Sequence, residues 1–205
     1  AFPVLGEQSF TSVQRVVTVA LAIILFDGGM RIGARRFAEA AIPVIWIGVA
    51  GTAVTAGSLG WLAHAFFGLD WLPALLLGTA LAPTDPAVVF SVLGKREISG
   101  RTGTILEGES GANDPVGIAL MVALLGAHGS GMDAAWSGLS QFALQMIIGL
   151  VVGIVGGRAL LGFMRRIPLP GASLYSIRVL AGALGLYGLA TVVHGSGFLA
   201  VFVAG

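Results

Sequence analysis

Seven apolar blocks decide what this chain can fold into. They run near residues 13–30, 38–64, 71–93, 102–127, 137–164, 173–194 and 196–205, with short connections between them. A bilayer's hydrocarbon core is about 30 Å thick and a helix rises about 1.5 Å per residue, so about twenty apolar residues suffice to cross it. The first six blocks are long enough or nearly so. The seventh begins at Gly195-Ser196-Gly197 and is still apolar at Gly205, about half a crossing. Charged residues fill 10% of the 205 positions, against about a quarter in a soluble domain. The fold class expected is all-α, a polytopic transmembrane helical bundle. Residues 1–205 read as a single transmembrane domain, incomplete at about six and a half spans and ending inside a helix.

Thirty-two glycines fit that reading, because small residues let helix backbones approach closely in a bilayer. Gly153, Gly156 and Gly157 in one block, and Gly182, Gly185 and Gly188 in another, read as packing faces. The chain has no cysteine, which removes disulfides and thiolate metal sites. Its first residues lack the basic start and apolar core of a cleavable leader, so none is expected.

The basic residues of the connections alternate. Arg31, Arg35 and Arg36 follow the first block, Lys95, Arg96 and Arg101 the third, and Arg165 and Arg166 the fifth, with Arg158 just before. The stretches Phe66 to Asp70 and His128 to Asp133, and the sixth connection, hold no lysine or arginine. Short basic loops stay cytoplasmic, so the chain start is expected outside. Trp61, Trp71 and Trp136 fall near the resulting outer boundary, where amphipathic rings prefer to sit. His64, His128 and His194 map to outer ends and read as interfacial residues, external pH sensing being the sharper alternative. Arg178 is expected to snorkel from the cytoplasmic end of its block.

Ionisable residues deep in a membrane helix are costly and mark function. Ala82-Pro83-Thr84-Asp85-Pro86 lies in the middle of the third block. Pro83 and Pro86 lack an N–H, which frees the carbonyls of Thr79 and Ala82 and predicts a broken helix at Pro83–Pro86. Freed carbonyls, the Thr84 hydroxyl and the Asp85 carboxylate are hard oxygen ligands suited to a cation. Broken helices near the bilayer centre are the usual construction of secondary-transporter sites.

The fourth block carries Glu107-Gly108-Glu109-Ser110-Gly111-Ala112-Asn113-Asp114-Pro115. Asp114 lies about 18 Å from the cytoplasmic end of its block and Asp85 about 21 Å from the outer end of its own. The two carboxylates approach the midplane from opposite sides and can line one cavity. Glu109 and Asn113, four apart, share a helix face. Glu107 or Glu109 alone is explained as readily by structural pairing with an arginine. Removal from water disfavours the charged form of a carboxylate, so a proton and a cation can compete for Asp114. That competition would couple the two fluxes.

The runs LAPTDPAVVFSVLG and ILEGESGANDPVGIALMVALL, with ILFDGGMR at residues 24–31 and GSGFLAVFVAG at 195–205, resemble the NhaP-type cation:proton antiporters, relatives of the animal sodium/proton exchangers. The ILFDGGMR wording looks closest to the potassium/proton, cell-volume-regulation branch. The resemblance covers nearly the whole chain. It implies an inverted-repeat secondary transporter of the bacterial cytoplasmic membrane that exchanges Na+ or K+ for protons without a further cofactor. It implies that Asp114 alternates between cation and proton, and that Asp85, Thr84, Ser110 and Asp27 supply oxygens to or near the cation. Asn113 and Glu109 would hold the broken segments in place. The Asn113-Asp114 pair resembles the electroneutral type, and a homodimer is implied. Lipid and the transported ions are the expected partners, with no nucleic acid. The other readings are a cation channel on the same scaffold and, more remotely, an intramembrane hydrolase using Asp85 and Asp114 as a dyad.

Overall fold

The computed structural model describes residues 10–85, 101–128, 131–169 and 171–205. Pro86, Lys95 and Arg96, and with them the second half of the third block, lie outside the described residues. The helices are α1 (Phe10–Ile32), α2 (Ala34–Ile45), a π-helical stretch (Trp46–Gly51), α3 (Thr52–Phe67), α4 (Trp71–Leu81), α5 (Arg101–Gly126), α6 (Met132–Arg166), α7 (Ala172–Val192) and α8 (Gly197–Ala204). There is no strand among the described residues. Four helical runs, Phe10–Ile32, Ala34–Phe67, Met132–Arg166 and Ser173–Val192, are long and apolar enough to cross a membrane. The protein is a multi-pass, all-α membrane bundle. Large apolar side chains such as Trp46, Phe66, Phe67 and Ile147 are exposed, the arrangement a lipid solvent favours.

The block at 38–64 forms one run from α2 to α3, but not a uniform helix. Pro43 within α2 offers no N–H to the Glu39 carbonyl. The π-helical stretch starts three residues later. It carries the buried Gly48 against α5, where a Cβ would stand 3.0 Å from the Ala112 Cβ and 3.7 Å from the Glu109 carbonyl oxygen. The Thr52 hydroxyl donates to the Gly48 carbonyl at 2.5 Å. The chain then turns at Gly68, whose φ of +65° suits a residue without a Cβ. His64 closes this turn, its Nδ1 2.6 Å from the Leu69 carbonyl and its ring stacked 4.2 Å from Trp71. α3 and α4 pack backbone to backbone through Gly60 and Gly78.

α8 occupies the centre. Leu199, Ala200, Val201 and Phe202 are buried, and the helix packs on α1, α5, α6 and α7. Its start is fixed by Ser196, whose N–H donates to the Gln145 carbonyl (2.9 Å) and whose Oγ accepts from the Leu199 N–H (3.2 Å). Gly153 and Gly157 of α6 admit the α8 backbone, and Gly156 admits Leu186 of α7. Gly182 meets Leu160, but a Cβ at Gly185 or Gly188 would meet nothing among the described residues. The second expected glycine face therefore packs only at Gly182.

Arg178 finds defined partners at the expected cytoplasmic end of its block. Its guanidinium turns back onto the α6–α7 connection, donating to the carbonyls of Ile167 (2.5 Å) and Met164 (3.2 Å) beneath the Phe163 and Tyr175 rings. The last carbonyls of α6 lack partners within their helix, and a five-donor group nearby satisfies them better than distant water does.

Candidate cation and proton site

α4 stops at Leu81, and Ala82–Asp85 continue without helical structure. Pro83 explains the stop, since the Thr79 carbonyl has no N–H to accept from. The ring of Pro83 seats against α5 at Gly117, where a Cβ would lie 2.9 Å from the proline Cγ. Thr84 is thereby delivered to the polar face of α5. Its hydroxyl donates to Glu109, 3.2 Å from Oε1 and 3.5 Å from Oε2. Ser110 Oγ donates to the Thr84 carbonyl at 2.6 Å. Asn113 Nδ2 donates to Thr84 Oγ1 at 2.8 Å, to Glu109 Oε1 at 3.1 Å and, more loosely, to the Thr84 carbonyl at 3.4 Å.

Glu109, Ser110 and Asn113 thus grip one residue of the broken segment. Asn113 is fully buried, and its Oδ1 has no hydrogen-bond partner among the described residues. Neither Glu107 nor Glu109 is ion-paired with an arginine among the described residues.

Asp85 and Asp114 line one cavity of about 580 Å³, as the opposed depths in sequence suggested. Thr84, Ser110 and Gly111 line it with them, as do Ile24, Leu25 and Gly28 of α1 and Phe202 of α8. Asn113 and Glu109 do not line it, whereas Ser110 both grips Thr84 and faces the cavity. Asp27 does not line it either. Its carboxylate accepts from Arg31 Nε at 2.6 Å on α1. Among the described residues no group of three or more His, Asp or Glu converges on one metal-sized point.

Besides the apolar lining, Gly111, Glu107 and Arg31 were not assigned to the site from sequence. Gly111 lies four residues before Pro115, which is fully buried within α5 and offers no N–H to the Gly111 carbonyl. The proline spacing was the available signal. Glu107 and Arg31 line the same cavity, and nothing in their local sequence distinguishes them from ordinary residues near helix ends.

The arrangement gathers three carboxylates (Asp85, Glu107 and Asp114) and two hydroxyl-bearing residues (Thr84 and Ser110) along one cavity that Arg31 also lines. Hard oxygens of this kind take alkali cations. A carboxylate among them can carry a proton instead.

The family model described as sodium/hydrogen exchanger, transmembrane, matches residues 2–205. Among curated proteins, the K(+)/H(+) antiporter NhaP of Alkalimonas amylolytica is 40% identical over 190 residues, 92% of this chain and 33% of its own length. The K(+)/H(+) antiporter NhaP2 of Shewanella sp. (strain MR-4) is 38% identical over 199 residues, 96% of this chain and 34% of its own length. The Na(+)/H(+) antiporter ApNhaP of Aphanothece halophytica is 28% identical over 195 residues, 95% and 37% respectively. The chain spans about a third of the length of these relatives.

Proposed function

Because the chain belongs to the sodium/hydrogen exchanger family, we propose that the whole protein exchanges a monovalent cation for protons across a membrane, with Asp114 binding the two ions in turn. The observation that carries this is the shared cavity: Asp114 faces Asp85, Thr84 and Ser110 where the break in α4 releases backbone oxygens. A cation arriving among these oxygens displaces the proton from the Asp114 carboxyl, and protonation on the other side expels the cation. Alternating access keeps both sides from reaching the site at once. Asp85 shares the cation's charge. Asn113 and Glu109 hold Thr84, and through it the broken end of α4, at a fixed distance from Asp114.

The relatives of higher identity are named K(+)/H(+) antiporters, which makes potassium the first cation to test. One exchanging carboxylate beside an asparagine supports one-for-one stoichiometry. The alternation of basic loops supports a cytoplasmic face at Arg31–Arg36 and Arg165–Arg166. A bacterial cytoplasmic membrane and a homodimer complete the reading.

The test uses the whole protein in proteoliposomes carrying a pH gradient. Added K+ or Na+ dissipates the gradient in the wild type. Asp114→Asn keeps the shape, loses the charge and abolishes exchange while insertion persists, and Asp114→Glu retains part of the activity. Normal exchange by Asp114→Asn overturns the assignment. Cation currents far above transporter turnover would identify a channel instead.

A further inference from the structure

The cavity that holds Asp114 also has charged residues that exchange itself does not use. Glu107 precedes Asp114 by seven residues on α5, two turns away on the same face and about 10 Å nearer the Arg101 end. Ser110 and Gly111 lie between them, and all four residues line the cavity. Arg31 of α1 lines the cavity as well. Its guanidinium is held by Asp27, one turn back on its own helix. Glu107 is exposed, and none of the ion pairs among the described residues includes it. Among the described residues, the one cationic side chain lining the cavity has its counter-ion on α1, in Asp27, which does not line it, while the Glu107 carboxylate lines the same cavity outside any of the ion pairs among those residues.

We propose that Glu107 is a steering residue for the transported cation: it concentrates the ion at the mouth of the cavity and passes it along the Ser110–Gly111 stripe to Asp114. The proposal rests on the exchange reading. Arg31 sets the opposing field, repelling cations, and Asp27 tempers it. Glu107 does not bind the ion at the exchange site, so its removal leaves the exchange step itself intact.

At about 10 Å in water one unit charge changes the local concentration of a monovalent ion about twofold, and low-dielectric walls increase the effect. Charges at that range are screened once the Debye length falls to a few ångströms near 1 M salt. Steering therefore has a signature that a structural role lacks. In proteoliposomes at roughly 10 mM ionic strength, Glu107→Gln is expected to raise the apparent KM for K+ about two- to fivefold with the maximal rate unchanged. Adding choline chloride to about 0.5 M should bring the variant and wild-type KM values together. Glu107→Asp should restore the wild-type KM, and Arg31→Gln should shift KM downwards at low ionic strength.

A KM shift in Glu107→Gln that survives high salt would overturn the proposal, as would a loss confined to maximal rate or an upward shift in Arg31→Gln. If Glu107→Gln fails to insert, the sign of the Arg31→Gln shift and its salt dependence decide. An unchanged KM in Glu107→Gln, with Asp114→Asn inactive, refutes steering and leaves the exchange reading standing. Normal exchange by Asp114→Asn removes the exchange reading itself.

Discussion

Thr84→Val removes one hydroxyl and keeps the shape of the side chain, so it isolates the grip between the broken end of α4 and α5. That hydroxyl donates to Glu109 Oε1 at 3.2 Å and accepts from Asn113 Nδ2 at 2.8 Å. A bond to a carboxylate contributes about 1.5–3 kcal/mol and a neutral bond about 1 kcal/mol. Thr84 is exposed to the cavity, where water replaces part of the loss, so the substitution should cost about 1–2 kcal/mol. Asn113→Ala removes the same bond from the other side together with the 3.1 Å bond to Glu109. At a fully buried position the lost bonds and the space left behind should cost about 2–4 kcal/mol. Both substitutions delete the Asn113–Thr84 bond, so the double variant should cost about 1 kcal/mol less than the two losses added. The assay is denaturant unfolding of the whole protein in detergent micelles, run on all four corners of the cycle. Additivity within about 0.3 kcal/mol would show that the two side chains do not share a bond and would refute the proposed grip.

Asp85→Asn should weaken apparent cation affinity about tenfold or more, near 1.4 kcal/mol, in a protein that still inserts; unchanged affinity in transport assays would remove Asp85 from the site. Gly153→Leu should cost about 1–3 kcal/mol, because its Cβ would stand 2.7 Å from the Ala200 carbonyl and 2.9 Å from the Val203 Cβ. Gly162→Ala meets nothing within 4 Å among the described residues and serves as the control, with both read by thermal unfolding in detergent. In a whole protein freed of any other cysteine, a cysteine at Arg166 should react with an impermeant reagent from the cytoplasm and one at Asp70 only from outside. The reverse pattern would invert the orientation.

The end of α4 was legible because proline acts locally. A missing N–H frees a known carbonyl whatever surrounds it, and the helix duly stops at Leu81 before Pro83. The meeting of Asp85 with Asp114 was legible for a related reason, since depth in a bilayer follows from counting residues along a helix. Side-chain direction was not. Asp27 stands one turn from Arg31 and pairs with it instead of lining the cavity, an outcome decided by how α1 is rotated against α5. The π-helical stretch at Trp46–Gly51 carries no signal beyond Pro43, because it depends on fitting Gly48 against Ala112 of a helix some sixty residues later. The partners of Arg178, the carbonyls of Met164 and Ile167, are backbone atoms that no sequence pattern marks.

The claim that one carboxylate serves both ions is tested most directly by competition between them. Initial exchange rates in proteoliposomes are measured over a range of K+ concentrations at several pH values on the side where the cation enters. If Asp114 binds either a proton or a cation, acidification raises the apparent KM, by about tenfold per pH unit once the site is mostly protonated, and saturating cation restores the same maximal rate. Acid inhibition that persists undiminished at saturating cation would mean that the two ions occupy separate sites.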